Sequence, residues 1–249
     1  MNDSFAEKLA SAVAHWSHHD DLASFAHDCV RFCVEISGGV LAGLSQAGRK
    51  GRLTPLRAAG RLDPTPWQEQ FRLREGPSME AFEREATVSA SAIDLRHRWP
   101  RWSAATWADV RDAGAVRAFP LHHGTSIVGV LELWTDRPED AAHLPRTLPA
   151  HVAAHFALVR RHEHLMRALT TRTVVGQAQG ITMERFGLRP EPAFAVLRRI
   201  SQHRNVKLAD LADELVTSGS VDGLSGPAQR PGDPRPVDGS SVSAPEAAG

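Results

Sequence analysis

Apolar positions recur with two periods along this chain, and each period predicts an element. Residues 3–36 read as helix in two pieces, broken near Ser17-His18-His19-Asp20-Asp21. Leu22, Phe25, Ala26, Cys29, Val30, Cys33 and Ile36 fall on one face of the second piece, and Gly38-Gly39 stops it. Val40–Ser45 and Arg52–Ala59 predict two short strands around a Gly48-Arg49-Lys50-Gly51 turn, a hairpin. Trp67–Leu73 reads as a short helix, and Glu75-Gly76-Pro77-Ser78 as a turn into a helix from Met79 to about Arg84. Thr87–Ala92 alternates as a strand, and Trp99-Pro100-Arg101-Trp102 opens a helical region to about Ala113. Ala115–Leu121 and Ile127–Trp134 are the clearest strands, joined by His122-His123-Gly124-Thr125 with the Gly supplying positive φ. Val128, Val130, Leu131 and Leu133 are too continuously apolar for an edge, so this strand belongs at the centre. The pattern is α+β with a mainly antiparallel sheet.

From Pro149 the period turns helical and runs to Phe186, about 37 residues or ~55 Å at 1.5 Å per residue. Val152, Val159, Met166 and Thr173 share one heptad position, and His155, His162 and Leu169 the other. That seam predicts a parallel helical dimer, and a continuous helix between two modules would pass a rotation or register change along. Further on, Val174, Ala178 and Ile181 keep helical spacing. Gly176 and Gly180 each cost roughly 1 kcal/mol relative to Ala, which predicts close approach of another backbone or a ligand. Gly187 ends the helix, and Pro190 and Pro192 fit the first turn of the next. Phe194, Leu197 and Ile200 form its apolar stripe, Asn205 its stop, and Leu208, Leu211, Ala212 and Leu215 the stripe of a third helix. None can bury its stripe alone, so the three should form a bundle. Residues 218–249, rich in Gly, Pro, Ser and Asp, read as a disordered tail.

The 249 residues suffice for two domains with real cores. Net charge is zero, but between Arg160 and Lys207 ten Lys/Arg face three Glu, a local 10 − 3 = +7. Basic charge gathered on one element is the footprint of a phosphate-backbone partner, or else a solvated helical face. Cys29 and Cys33 offer no disulfide framework, MNDSFAEKLA no export signal, and no apolar run approaches the ~20 residues of a membrane span. A cytoplasmic protein is expected. Thirteen histidines, among them His15, His18, His19, His151, His155, His162 and His164, come with neither the Glu of a zincin motif nor a Cys pair at zinc spacing. No metal or cofactor is expected. Trp99, Trp102 and Trp107 could line a ligand pocket, though core packing is the commoner use. With no Walker loop, no G-x-S-x-G elbow and no acidic phosphoacceptor cluster, the sequence reads as a non-enzyme.

The run Val174-Val175-Gly176-Gln177-Ala178-Gln179-Gly180-Ile181-Thr182-Met183-Glu184-Arg185, then Ala193-Phe194, Leu197-Arg198, Ser201 and Lys207-Leu208-Ala209-Asp210-Leu211-Ala212, resembles an ANTAR domain. That family is an RNA-binding antiterminator module of bacterial signalling proteins, and Gln179 stands where it often has Lys. Arg74-Glu75-Gly76-Pro77, Arg98-Trp99-Pro100, Phe119-Pro120-Leu121 and Ile127–Leu133 together resemble a GAF domain over roughly Leu22 to Leu158. The family often has Cys at Ser78, whose absence argues against a thiol-based sensor. The implied layout is an N-terminal helix over 1–21, a GAF-like sensor over 22–158, an ANTAR domain over 159–217 and the tail. The resemblance implies a homodimeric regulator that binds stem-loops of nascent transcripts and prevents termination, under an unidentified small-molecule or protein effector. Candidate RNA contacts are Arg172, Gln177, Gln179, Gly180 and Arg185 on the first bundle helix. Arg198, Arg199, Ser201, His203, Arg204 and Lys207 follow on and after the second. Two alternatives stand beside this reading: a sensor whose helical C-terminus only docks proteins, and a nucleotide-dependent enzyme.

Overall fold

Asp21 accepts hydrogen bonds from the backbone N–H groups of Ala23 and Ser24 and so starts the helix that covers one face of the sheet. Gly38, at φ 60°, ends it. The computed structural model describes residues 2–48, 51–110, 113–137 and 147–220, together with 222 and 224. The chain divides into two compact units, Met1–Arg167 and Ala168–Gly249.

In the first unit α1 (Asn2–Trp16) and α2 (Leu22–Ser37) precede a hairpin of β1 (Leu41–Ala47) and β2 (Leu53–Gly60). There follow α3 (Thr65–Leu73), α4 (Pro77–Arg84), β3 (Val88–Ser91), α5 (Ala92–Arg98) and α6 (Pro100–Val110). β4 (Ala115–His123) and β5 (Ser126–Thr135) complete the sheet. All pairings are antiparallel in the order β2-β1-β5-β4-β3, so β5 is central as its apolar run predicts. Alternate side chains feed two cores. Leu44, Phe119, Leu121, Leu131 and Leu133 pack with α1, α2 and Val152, Phe156 and Val159 of the following helix. Leu41, Val116, Ala118, Val130 and Trp134 pack on the other face against α3–α6 through Trp67, Leu95, Trp99 and Trp102. Trp99 and Trp102 are thus core, not the walls of an open pocket.

Three boundaries depart from the sequence reading. His122 and His123 continue β4, leaving Gly124 (φ 60°) and Thr125 as the whole turn. α5 was not foreseen: Ser91 and Asp94 form a reciprocal capping box that starts a helix where strand-like residues end. α6 is assigned to Val110, and residues 111–112, on the expected path to Ala113, lie outside the described residues, as do Arg49 and Lys50 of the first turn.

Next, α7 (Thr147–Phe186) is one 40-residue helix. Val152 and Val159 are fully taken up by the chain's own core, so the expected seam through them is not available to a second copy. Leu158, Leu165 and Leu169 are instead 55%, 56% and 58% exposed. Their spacing of seven and four residues keeps Leu169, a position of the expected seam, and puts Leu158 and Leu165 one residue ahead of Val159 and Met166.

The second unit contains the end of α7, α8 (Pro190–Arg204) and α9 (Leu208–Ser218), closed around Ala178, Leu197, Ile200, Leu211, Ala212 and Leu215. Asn205, at φ 52°, ends α8, and its N–H returns to the last carbonyls. Phe194 is 36% exposed and Ala193, one residue earlier on the helix, is buried in its place. Gly176 and Gly180 have no atom of the chain within reach of a Cβ, so the expected close backbone approach is not made within this chain. Leu224, in the stretch expected to be disordered, is buried against the bundle core; 221, 223 and 225–249 lie outside the described residues.

Candidate functional site

The helical period of α8 buries Leu197, Ile200 and Ser201 and turns Arg198, Arg199, Gln202 and His203 outward, all exposed. Phe194 sits one turn before Arg198, so a partly exposed ring and a guanidinium share a side of the helix. An aromatic ring beside an Arg plane is the usual surface on which unpaired bases stack. The sequence reading missed Phe194 because its spacing also fits the core stripe. Lys207 is exposed at the α9 N-cap, and Arg172, Gln177 and Gly180 are exposed on α7.

Four expected contacts are engaged inside the bundle. Ser201 Oγ donates to the Val206 carbonyl at 2.7 Å and is buried, closing the α8–α9 turn. Gln179 Nε2 donates to the Pro190 carbonyl at 2.7 Å, tying α7 to the start of α8. Arg185 donates to the Gly219 carbonyl at 2.5 Å, and Arg204 pairs with Glu214 at 3.1 Å. These bonds shape the surface on which the free arginines stand.

In the first unit, Glu132 of β5 is fully buried on the face covered by α3–α6. Its cross-strand neighbours are Gly43 and Ala118, so nothing bulky flanks the carboxylate in its row. Gln70 Nε2 donates to both oxygens at 2.9 and 3.0 Å, Ser78 Oγ to one at 2.5 Å, and Trp134 Nε1 to the other at 2.7 Å. Burial pushes this carboxyl up to about 7, even though the Ser78, Gln70 and Trp134 bonds favour the charged form. Gly76, at φ 141°, exists for this nest: a Cβ there would meet Gln70 Cγ at 2.5 Å. Trp67 lies over Gly43 with its Nε1 buried and without a hydrogen-bond partner among the described residues. On the opposite face, the Cys33 thiol and burial raise Cys29 well above the usual thiol range, as befits inert core thiols.

A family model for the ANTAR domain matches residues 163–216. The C-terminal unit contains an ANTAR domain. No curated protein matches the chain. Among solved structures, the GAF domain of an Acinetobacter phosphoenolpyruvate-protein phosphotransferase is similar at TM-score 0.51 and 15% identity, covering 66% of this chain and 96% of that one. The corresponding GAF domain from Coxiella burnetii gives 0.47 at 17% identity, covering 63% and 94%. The free methionine-R-sulfoxide reductase of Neisseria meningitidis gives 0.46 at 14%, covering 66% and 91%. The N-terminal unit has the GAF fold, and at such identity the likeness speaks for architecture alone.

Within the GAF fold, the motifs that carried the resemblance turn out to be structural punctuation. Arg98 and Trp99 both donate to Glu80, and Glu75 accepts from the backbone N–H groups of Arg101 and Trp102 at the start of α6. Ser78 faces the buried carboxylate. Within the ANTAR domain, Gln179 in place of the frequent Lys serves as an interhelical tie. Away from both, His15, His19 and Asp28 bring three ligand atoms within 4.8 Å of one another. No helix among the described residues is long and apolar enough to cross a membrane.

Proposed function

We propose that this chain is an RNA-binding regulator whose ANTAR domain holds stem-loops of nascent transcripts, and so prevents termination, while the GAF-fold unit sets when it does. The observation that carries the reading is the ANTAR match on a bundle whose second helix exposes Arg198, Arg199 and Phe194 together. The two arginines hold phosphates, and Phe194 with Arg198 stacks an unpaired base. Gln177, Gly180 and Arg172 extend the contact along α7, and His203 and Lys207 beyond α8. Ser201, Gln179, Arg185 and Arg204 act at one remove, by shaping the bundle. No catalytic step is part of this reading, and the effector of the GAF unit is a small molecule or partner of unassigned chemistry. The active form is a homodimer joined along Leu158, Leu165 and Leu169, with the open flank of Gly176 admitting a second helix.

A gel-shift salt series with hairpin-bearing RNA tests the core of this. Arg198→Ala/Arg199→Ala should weaken binding and lower the salt slope by roughly 1.4–1.8, two phosphate contacts at about 0.7–0.9 each. Undiminished affinity and slope, with the far-UV spectrum unchanged, would refute it. A protein that binds no RNA at low salt yet captures a protein partner through α7 would favour the docking alternative.

A further inference from the structure

The junction between α1 and α2 is packed with aromatic rings. Trp16 is buried and meets Phe25 and Phe32 edge-on at 5.6 and 5.4 Å, while His19 N–H returns to the Trp16 carbonyl at 3.2 Å and continues the helical winding past the end of α1. His15 and His19, four apart on that winding, therefore share a side. Opposite them stands Asp28 of α2. His15 Nε2 lies 2.8 Å and His19 Nε2 3.0 Å from the same oxygen, Asp28 Oδ2. The first contact is a hydrogen bond. The second is less well aligned, and His19 Nε2 is buried with no other polar partner among the described residues.

Two imidazole nitrogens converging on one carboxylate oxygen, one of them buried, compete for the same acceptor and are well placed as a chelate. We propose that His15, His19 and Asp28 form a binding site for a divalent first-row transition ion of the zinc type. Bonds of about 2.0–2.2 Å place tetrahedral donors roughly 3.3–3.6 Å apart; the two contacts to Asp28, at 2.8 and 3.0 Å, would open by a few tenths of an ångström to admit the ion, and the three ligand atoms already lie within 4.8 Å of one another. Two nitrogens and one oxygen suit zinc, nickel or copper and disfavour magnesium and calcium, which want oxygen throughout. Three protein ligands leave at least one position for water or a ligand brought from outside. His19 is largely enclosed and His15 largely exposed, so the open position faces solvent on the His15 side. The site joins α1 to α2 next to α7, where Trp16 meets His155 at 5.7 Å and Asp20 lies 3.3 Å from His162.

The sequence reading excluded a metal because it looked for ligands packed into one motif. Asp28 lies nine residues beyond His19, on another helix, and only the fold brings it in.

Calorimetric titration of the full chelator-treated chain with Zn²⁺, and separately with Mg²⁺, tests this. Zinc should fill one site of higher affinity than the background of surface histidines, and magnesium should not. His15→Ala and Asp28→Asn should each weaken that site by at least the roughly 10- to 100-fold that removing a mere supporting group costs. His18→Ala, an exposed neighbour outside the cluster, should leave it intact. Co²⁺ supplies a second readout: its visible absorption should show low coordination in the wild type and in His18→Ala, and lose it in Asp28→Asn. The far-UV spectrum and thermal melt report whether each variant stays folded. Equal binding of magnesium, zinc affinity unaltered in folded His15→Ala and Asp28→Asn, or equal loss in His18→Ala would overturn the proposal.

Discussion

Glu132 shows how far one residue's environment can bias the stability of a domain. The carboxyl rises from its ordinary 4.5 to about 7 on folding, chiefly because burial disfavours the charge. The folded state therefore binds the proton more tightly than the unfolded one, and stability from this group falls as pH climbs from about 4.5 to 7, then levels off. At ~1.4 kcal/mol per pH unit the penalty above pH 7 is on the order of 3 kcal/mol. Glu132→Gln removes the charge, so urea melts at pH 5, 6 and 7.5 should show a flatter profile than wild type and equal or greater stability at the alkaline end. An unaltered slope would mean that Glu132 does not contribute to the pH dependence. Gly43→Ala tests the packing over the same nest. Its Cβ would meet the Trp67 indole at 2.4 Å, and overpacking of that kind costs about 1–3 kcal/mol. Nothing in the sequence announced this nest. Gln70 and Ser78 lie 62 and 54 residues from Glu132, and Glu132 reads along the chain as one polar interruption in an apolar strand.

Elements were far more legible, because their signals are local. The stops at Gly38, Gly187 and Asn205 all have positive φ, the prolines begin their helices, and the continuous apolar run of β5 marks the middle strand. α5 escaped because Ser91 serves both as the last residue of β3 and as the N-cap of the helix, so strand propensity masked the box. Phe194 was assigned inward because a three-residue spacing fits a core stripe as well as an exposed flank. At this scale Asn205→Ala should cost the ANTAR bundle about 1 kcal/mol, since alanine pays the left-handed penalty, whereas Asn205→Gly should cost little. Thermal melts of both variants decide it: equal losses would mean that the Asn side chain, not the backbone conformation, holds the turn.

For the whole molecule, the instructive error is the heptad. The seven-residue repeat expected in α7 runs through Val152 and Val159, which the chain's own core buries, and through Met166 and Leu169, which stay exposed together with Leu158 and Leu165. Sequence periodicity finds a stripe; only packing says which stripe is already used. The proposed homodimer then makes a discriminating prediction. Leu165→Glu/Leu169→Glu should shift sedimentation from dimer to monomer with helix content kept, while polar replacement of Met166 or Thr173 should matter less. Unchanged sedimentation would remove α7 from the interface. The interior charge of the first unit has one last implication. Because the Trp134 indole donates to Glu132, that ring is a built-in reporter of occupancy by a proton. Its N–H resonance should drift across neutral pH with a midpoint near 7, letting spectroscopists watch a hidden acid ionise inside living-temperature samples without adding any label.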